Sequence, residues 1–341
     1  MRTRRRDFHR ILAASPLALW AGCSRTESGD VVRVSMPLAL SMSSLYLARD
    51  LGYFEQAGLV ELDQMPDSPQ KLPLLASGKL DVYFNSMSPA FLNAVAKGAR
   101  IKIVGGREVA SPTCGYIGTL YGSRDAFPEG LSDLTQLRGK RLVFNNVGAT
   151  SEFALDAHLS AAGLTRDDIL AEQLRSNVAV AALLSGRVDA IIAHNEYRFD
   201  LASLSTRIVR GPRLGSILPN HQYAHILYGA GMLDRDPDVG VRFLVAYLRG
   251  TRAFLKGETP KMMVEYARSN DMDVDTVVND CRETFTPDAS VDMASLKRYV
   301  DWAVRRGYCS ESYDVSRLVE LRYVKEAQRR LGIVPSGGGE Q

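Results

Sequence analysis

One motif occurs twice, and each time it closes the same succession of elements. Leu75-Ala76-Ser77-Gly78-Lys79-Leu80-Asp81-Val82 returns as Leu183-Leu184-Ser185-Gly186-Arg187-Val188-Asp189-Ala190. Each copy reads as a helix end, a glycine stop beside a basic residue, and an apolar run short enough to be a buried strand. The echo extends upstream. Arg33-Val34-Ser35-Met36 leads through a polar loop to a helix stopped at Ala57-Gly58-Leu59, and Arg141-Leu142-Val143-Phe144 leads to one stopped at Ala162-Gly163-Leu164. The offsets are 105 residues for the Ala-Gly-Leu pair and 108 for the Ser-Gly pair. Solenoid units are far shorter, roughly 20–50 residues, so the repeat predicts two similar α/β lobes in one chain.

A chain of 341 residues is long enough for two cores of ordinary size. The net charge of +3 arises at the start, where residues 1–22 carry +4 and leave −1 for the rest. No concentrated basic face remains, which argues against nucleic acid as a partner. Residues 1–22 have the charged, apolar and small-residue regions of an export signal, and the apolar stretch Ile11 to Ala21 is too short to span a bilayer. Arg5-Arg6-Asp7-Phe8 resembles a twin-arginine signal. Leu19-Trp20-Ala21-Gly22-Cys23 resembles a bacterial lipoprotein cleavage site, with Trp20 where that pattern usually has Leu. The resemblance implies lipidation at Cys23, a flexible tether over 23–30, and a place in the periplasm or on the outer face of the cytoplasmic membrane. Export permits a disulfide among Cys114, Cys281 and Cys309, but spacing does not choose the pair, and the odd number leaves at least one thiol.

Along the chain the pattern predicts strands at 31–35, 60–65, 81–85, 101–104, 140–144, 188–193 and 207–209. Helices are expected at 45–57, 70–76, 90–96, 131–137, 151–162 and 178–184. Alternating strands and helices imply parallel pairing. Thr113 to Tyr121 and Tyr223 to Gly229 read as two crossings between lobes, the first the natural place for a hinge. From Asp236-Pro237 onward the chain reads as amphipathic helices over 239–255, 260–268, 274–281, 294–305 and 315–331, ending in a Gly-rich tail, 336–341, expected to be disordered.

Leu45-Tyr46-Leu47-Ala48-Arg49-Asp50-Leu51-Gly52-Tyr53-Phe54, with Ala57-Gly58-Leu59 after it, resembles the opening of solute-binding proteins of the nitrate, sulfonate, taurine and thiamine-precursor group. The same group shows a Ser-Gly-x-x-Asp strand twice, Leu137-Arg138-Gly139-Lys140-Arg141 at the start of its second lobe, and a late helix beginning Asp236-Pro237-Asp238. The resemblance covers roughly 31–260. It implies a two-lobed periplasmic-binding-protein (type II) fold with two mostly parallel sheets joined by a two-strand hinge. Lobe one would comprise 31–115 and 225–335, and lobe two 116–224. It also implies a monomer without cofactor or catalysis that delivers a small-molecule solute to an ABC permease.

Ligands of open parallel sheets bind beyond the carboxyl ends of the strands. That rule selects four segments independently of any family. The loop after the first strand holds Ser41, Ser43 and Ser44; Asn85, Ser86 and Ser88 follow the third. In the second half Asn145, Asn146, Gly148, Thr150 and Ser151 follow Phe144, and His194, Asn195, Glu196 and Tyr197 follow the corresponding later strand. Hydroxyls and unpaired N–H groups at helix N-termini make a cradle for an anion or polar headgroup. Many members of the group have Trp-Glu-Pro where this chain has Asn195-Glu196-Tyr197. A carboxylate there favours an amine-bearing solute, such as taurine or an aminopyrimidine thiamine precursor.

Two alternatives carry other chemistry. His194, Glu196, His221 and His225 offer imidazole and carboxylate donors for zinc. The yeast thiamine-pyrimidine synthases resemble the chain in their lobes but carry a cysteine cluster for iron that is absent here. No Gly-x-Ser-x-Gly or His-Glu-x-x-His motif is present.

Overall fold

The computed structural model describes residues 30–59, 61–65, 70–115, 117–193, 206–309 and 314–335. The segments expected to be an export signal, a tether and a disordered tail, with Cys23, lie outside these residues apart from Asp30.

Among the described residues ten strands form two sheets. They are β1 (Val31–Ser35), β2 (Glu61–Met65), β3 (Val82–Ser86), β4 (Lys102–Val109), β5 (Leu120–Ser123), β6 (Arg141–Phe144), β7 (Leu170–Gln173), β8 (Ala190–Ile192), β9 (Ile208–Arg210) and β10 (Gln222–Tyr228). The first sheet has the order β2-β1-β3-β10-β4 and the second β7-β6-β8-β5-β9. In each, the first three strands are parallel and the fourth is an antiparallel insert: β10 between β3 and β4, and β5 between β8 and β9. The sequence repeat is therefore a repeat of sheets.

Its residues do equivalent work. The Arg33 amide donates to Asp81 Oδ2 at 2.9 Å and the Arg33 Nε to the same oxygen at 3.0 Å. The Arg141 amide and Nε donate to Asp189 Oδ2 at 2.8 and 3.2 Å. Each aspartate thus pins the start of one parallel strand to its neighbour. The stops are equivalent too: Leu59 N donates to Phe54 O and Leu164 N to Leu159 O, around Gly58 and Gly163, whose φ of +71° and +67° few other residues adopt.

The structure departs from the sequence expectation at several places; the expected 131–137 helix is a single turn, Leu134–Leu137, and the expected 274–281 helix ends at Val278. The expected 45–57 helix is two helices, Ser43–Asp50 and Tyr53–Gln56, broken where Gly52 takes a left-handed φ of +68° and turns Phe54 into the core beside Phe243. Strand β4 does not end at Gly105-Gly106. It runs on to Val109, because a Cβ on Gly106 would lie 2.1 Å from Gln222 Nε2, so only glycine fits the close approach. The polar edge strand β7 had no apolar signal. Finally, the expected 315–331 helix divides into a single turn, Val315–Leu318, and the Arg322–Leu331 helix, with Val319 bridging to Ile103 between them.

Two segments cross between the sheets, and they bond to each other: Ala110 N donates to His221 O at 2.9 Å and Asn220 N to Ala110 O at 3.0 Å. A disulfide joins Cys114, in the first crossing, to Cys281 among the C-terminal helices, and Cys309 is buried as a thiol. The Pro237–Leu255 helix is capped by Asp236 and packs on Ser43–Asp50, where Gly250 meets Ala48 and the Ser44 carbonyl. The Met293–Arg305 helix packs under the first sheet through Leu296, Tyr299 and Val300, in one cluster with Phe153 of the second lobe.

Candidate ligand-binding cleft

The carboxyl ends of β3, β4 and β6 and the loop after β1 surround a cavity of about 320 Å³ between the sheets, within the size range of small-molecule sites. From the first lobe it is lined by Ser41, Met42, Lys71, Tyr83, Asn85, Ser86, Ser88, Arg107 and Glu108; from the second by Asn145, Asn146, Thr150 and Ser151, with Tyr223 at the crossing. Two helices begin at this wall. Ser88 Oγ accepts from Phe91 N at 3.4 Å as the cap of Pro89–Ala96. Ser151, in the first turn of Thr150–Ala161, accepts from the amides of Asn145 and Asn146 at 3.3 and 3.4 Å. Each helix start directs partial positive charge toward the cavity.

Of the residues that the strand-end rule selected, Ser41, Asn85, Ser86, Ser88, Asn145, Asn146, Thr150 and Ser151 share this wall. Three do not. Ser43 and Ser44 already belong to the Ser43–Asp50 helix, which turns both hydroxyls away from the main cavity. Ser43 donates to Leu40 O at 2.7 Å and Ser44 to Tyr247 Oη at 3.4 Å, both buried. Gly148 is a contact between lobes. Its amide donates to Glu152 Oε2 at 2.7 Å, its carbonyl accepts from Tyr299 Oη, and a Cβ there would lie 2.3 Å from Pro89 Cγ. His194, Glu196 and Tyr197 lie outside the described residues.

Sequence reasoning missed Arg107 and Glu108. Arg107 is 5 % exposed; its Nη2 lies 2.7 Å from Glu108 Oε2, its Nη1 donates to Ser41 O at 3.2 Å, and its Nε has no partner among the described residues. A guanidinium on this wall is a donor that an anion in the cleft would share with Glu108. The signal was two adjacent charges in an apolar strand, masked by the glycine pair that read as its end.

Two histidines of the zinc alternative, His221 and His225, are held apart from this wall. His221 stacks on Phe153 at 4.8 Å and pairs Nδ1 with Arg298, while His225 is buried in β10 with no partner on either ring nitrogen among the described residues. Burial foremost, aided by neighbouring positive charge, lowers their pKa values to about 4 and about 3. Among the described residues no three His, Cys, Asp or Glu side chains gather to hold a metal.

Two α/β lobes facing each other across a polar cleft at their strand ends define the periplasmic-binding-protein architecture. A sequence model described as NMT1/THI5 like matches residues 40–259, and the chain belongs to that family. No match is found among curated protein sequences. Among solved structures, the aliphatic sulphonate binding protein SsuA from Escherichia coli superposes with a TM-score of 0.67 at 18% identity, covering 86% of this chain and 92% of that one. A zinc-bound ligand-binding component of an ABC-type import system from Staphylococcus aureus gives 0.66 at 14%, covering 88% and 99%. The desulfurization enzyme DszB gives 0.60 at 14%, covering 89% and 99%. At such identities the likeness is one of fold.

Proposed function

We propose that this chain is the extracytoplasmic solute-binding component of an ABC importer, that it binds a small organic sulfonate of the taurine type, and that it performs no catalysis. The observation that carries the reading is Arg107, buried at the cleft wall beside Glu108 and sharing that wall with two helix starts and a row of hydroxyl and amide side chains. A sulfonate offers three acceptor oxygens to these donors. Glu108, beside Arg107, gives an amine on the same solute a carboxylate to meet. Glu108 is also what favours the second reading, an aminopyrimidine thiamine precursor, whose exocyclic amine would donate to that carboxylate. In this reading the signal in 1–22 exports the protein, a lipid on Cys23 holds it as a monomer at the outer face of the membrane, and closure on solute presents the surface that a permease reads.

The test is a thermal-shift panel of taurine, alkanesulfonates, nitrate, aminopyrimidines and zinc on the purified protein. A solute at about a hundred times its Kd stabilises by about 2.7 kcal/mol, which raises Tm by roughly 5 °C at this size. Taurine or an alkanesulfonate is expected to give that shift, and Arg107→Gln to weaken its binding at least tenfold in calorimetry. A shift with aminopyrimidines alone would select the second reading. A shift with zinc alone would replace both with metal uptake.

A further inference from the structure

A second cavity, about 550 Å³, lies between the Thr150–Ala161 helix of the second lobe and the Met293–Arg305 helix packed on the first. It belongs to no part of the solute cleft and has a different chemistry. Its apolar lining is Phe153 and Trp302, edge to face with centroids 5.5 Å apart, together with Ile217 and Leu218 from the second crossing. Its polar lining is Arg298, Arg305 and Arg306 with one carboxylate, Asp156, and Ser160.

The charges do not balance. Arg306 and Arg166 share the two nearby carboxylates, Glu152 and Asp156. Arg298 faces only the uncharged Nδ1 of His221, at 3.2 Å, and Arg305 has no hydrogen-bond or ion-pair partner among the described residues. Among the described residues, Arg298 and Arg305 therefore stand without an ion-pair partner, beside Asp156 and over the largely buried rings of Phe153 and Trp302. Apolar surface alone would take any hydrophobic molecule; the excess charge asks for an anion, and the rings for an apolar body attached to it. The volume lies within the range of sites for small organic molecules.

We propose that this groove is a second binding site, for an amphipathic organic monoanion: an aryl or alkyl group bearing one carboxylate or sulfonate. The inference stands on the groove alone and does not depend on which solute the cleft takes.

The probe is 8-anilinonaphthalene-1-sulfonate, with its uncharged counterpart N-phenyl-1-naphthylamine as control. The protein is the full chain carrying Trp20→Phe, which leaves Trp302 as the one tryptophan. Saturable binding with energy transfer from Trp302 is expected. Arg305→Glu with Arg298→Glu, both exposed positions, should weaken it at least tenfold with near-ultraviolet circular dichroism unchanged. Arg107→Gln should leave it within a factor of two, and the uncharged dye should bind at least tenfold more weakly. Loss of binding in Arg107→Gln would place the dye in the solute cleft and overturn the proposal. So would equal binding of the two dyes, indifference to the arginine substitutions, or no saturable binding at all.

Discussion

The Asp81 side chain is wholly buried and holds Arg33 by its amide and guanidinium as well as Arg235, whose Nη2 lies 3.2 Å away. Asp189 occupies the same place in the second sheet, but its carboxylate is 16 % exposed and Arg141 is 45 % exposed. Equal geometry with unequal burial gives unequal energies. Removing one member of a buried pair costs about 3–5 kcal/mol, whereas an exposed pair is worth about 1 kcal/mol or less. Asp81→Asn is therefore expected to lower the urea midpoint several times further than Asp189→Asn; equal losses would mean that the repeat is energetically symmetric. Both aspartates were legible as a repeated motif, and both arginines stood in the repeated upstream segment. Their pairing was not legible, because register across a sheet leaves no trace in one strand's sequence. The same limit hid Arg107. Its charge was plain, but Gly105-Gly106, of which Gly106 lets β4 pass Gln222, looks in sequence like the end of a strand.

At the scale of elements, the Met293–Arg305 helix belongs to the first sheet's core yet meets the second lobe through polar groups as well as through Phe153. Glu152 accepts from Gly148 N at 2.7 Å, Arg166 at 3.1 Å, Arg306 at 3.0 Å and Tyr308 Oη at 2.7 Å, and Trp302 Nε1 donates to Asp156 at 2.7 Å. Two of the four donors to Glu152 come from each side of the junction. Glu152→Ala should cost about 3–5 kcal/mol, because two guanidinium groups would then share one carboxylate. Denaturant unfolding checks this, and a loss under about 1 kcal/mol would show that the junction opens in solution. The amphipathic stripe announced this helix, but not its partner: a tryptophan and two arginines on one helix read equally well as surface. The strand ends that line the cleft were easier to find, since the topology of alternating strands and helices fixes where such ends collect. Ser43 and Ser44 escaped that rule because their helix begins two residues before the first apolar position that marked it.

For the whole molecule, three buried histidines set a pH dependence. His158 bonds Gly118 O at 2.7 Å, and burial brings its pKa to about 4 despite that bond. With His221 near 4 and His225 near 3, all three stay neutral when folded and titrate near the ordinary 6.5 when unfolded. The unfolded chain thus binds more protons, so their stabilisation is complete above pH 6.5 and is lost as pH falls toward 4. Each should cost on the order of 1–2 kcal/mol between pH 6.5 and 5, and His158→Gln should flatten the profile of Tm against pH over that window. The two-lobed plan itself was legible, since the motif repeats with its order intact. What no repeat could reveal is that the halves are unequally continuous. The second sheet draws all its strands from 120 to 210, whereas the first has a vacant slot between β3 and β4 that only residues 222–228 fill. During synthesis the lobe written first is therefore the lobe finished last. A ribosome stalled with residue 215 just emerged should carry β5 to β9 protected from protease while β1 to β4 are still cleaved, and protection of both would mean that the slot closes without its strand. Until β10 arrives, the first half exposes two strand edges for tens of residues of elongation, and this is the interval in which the chain needs a chaperone most.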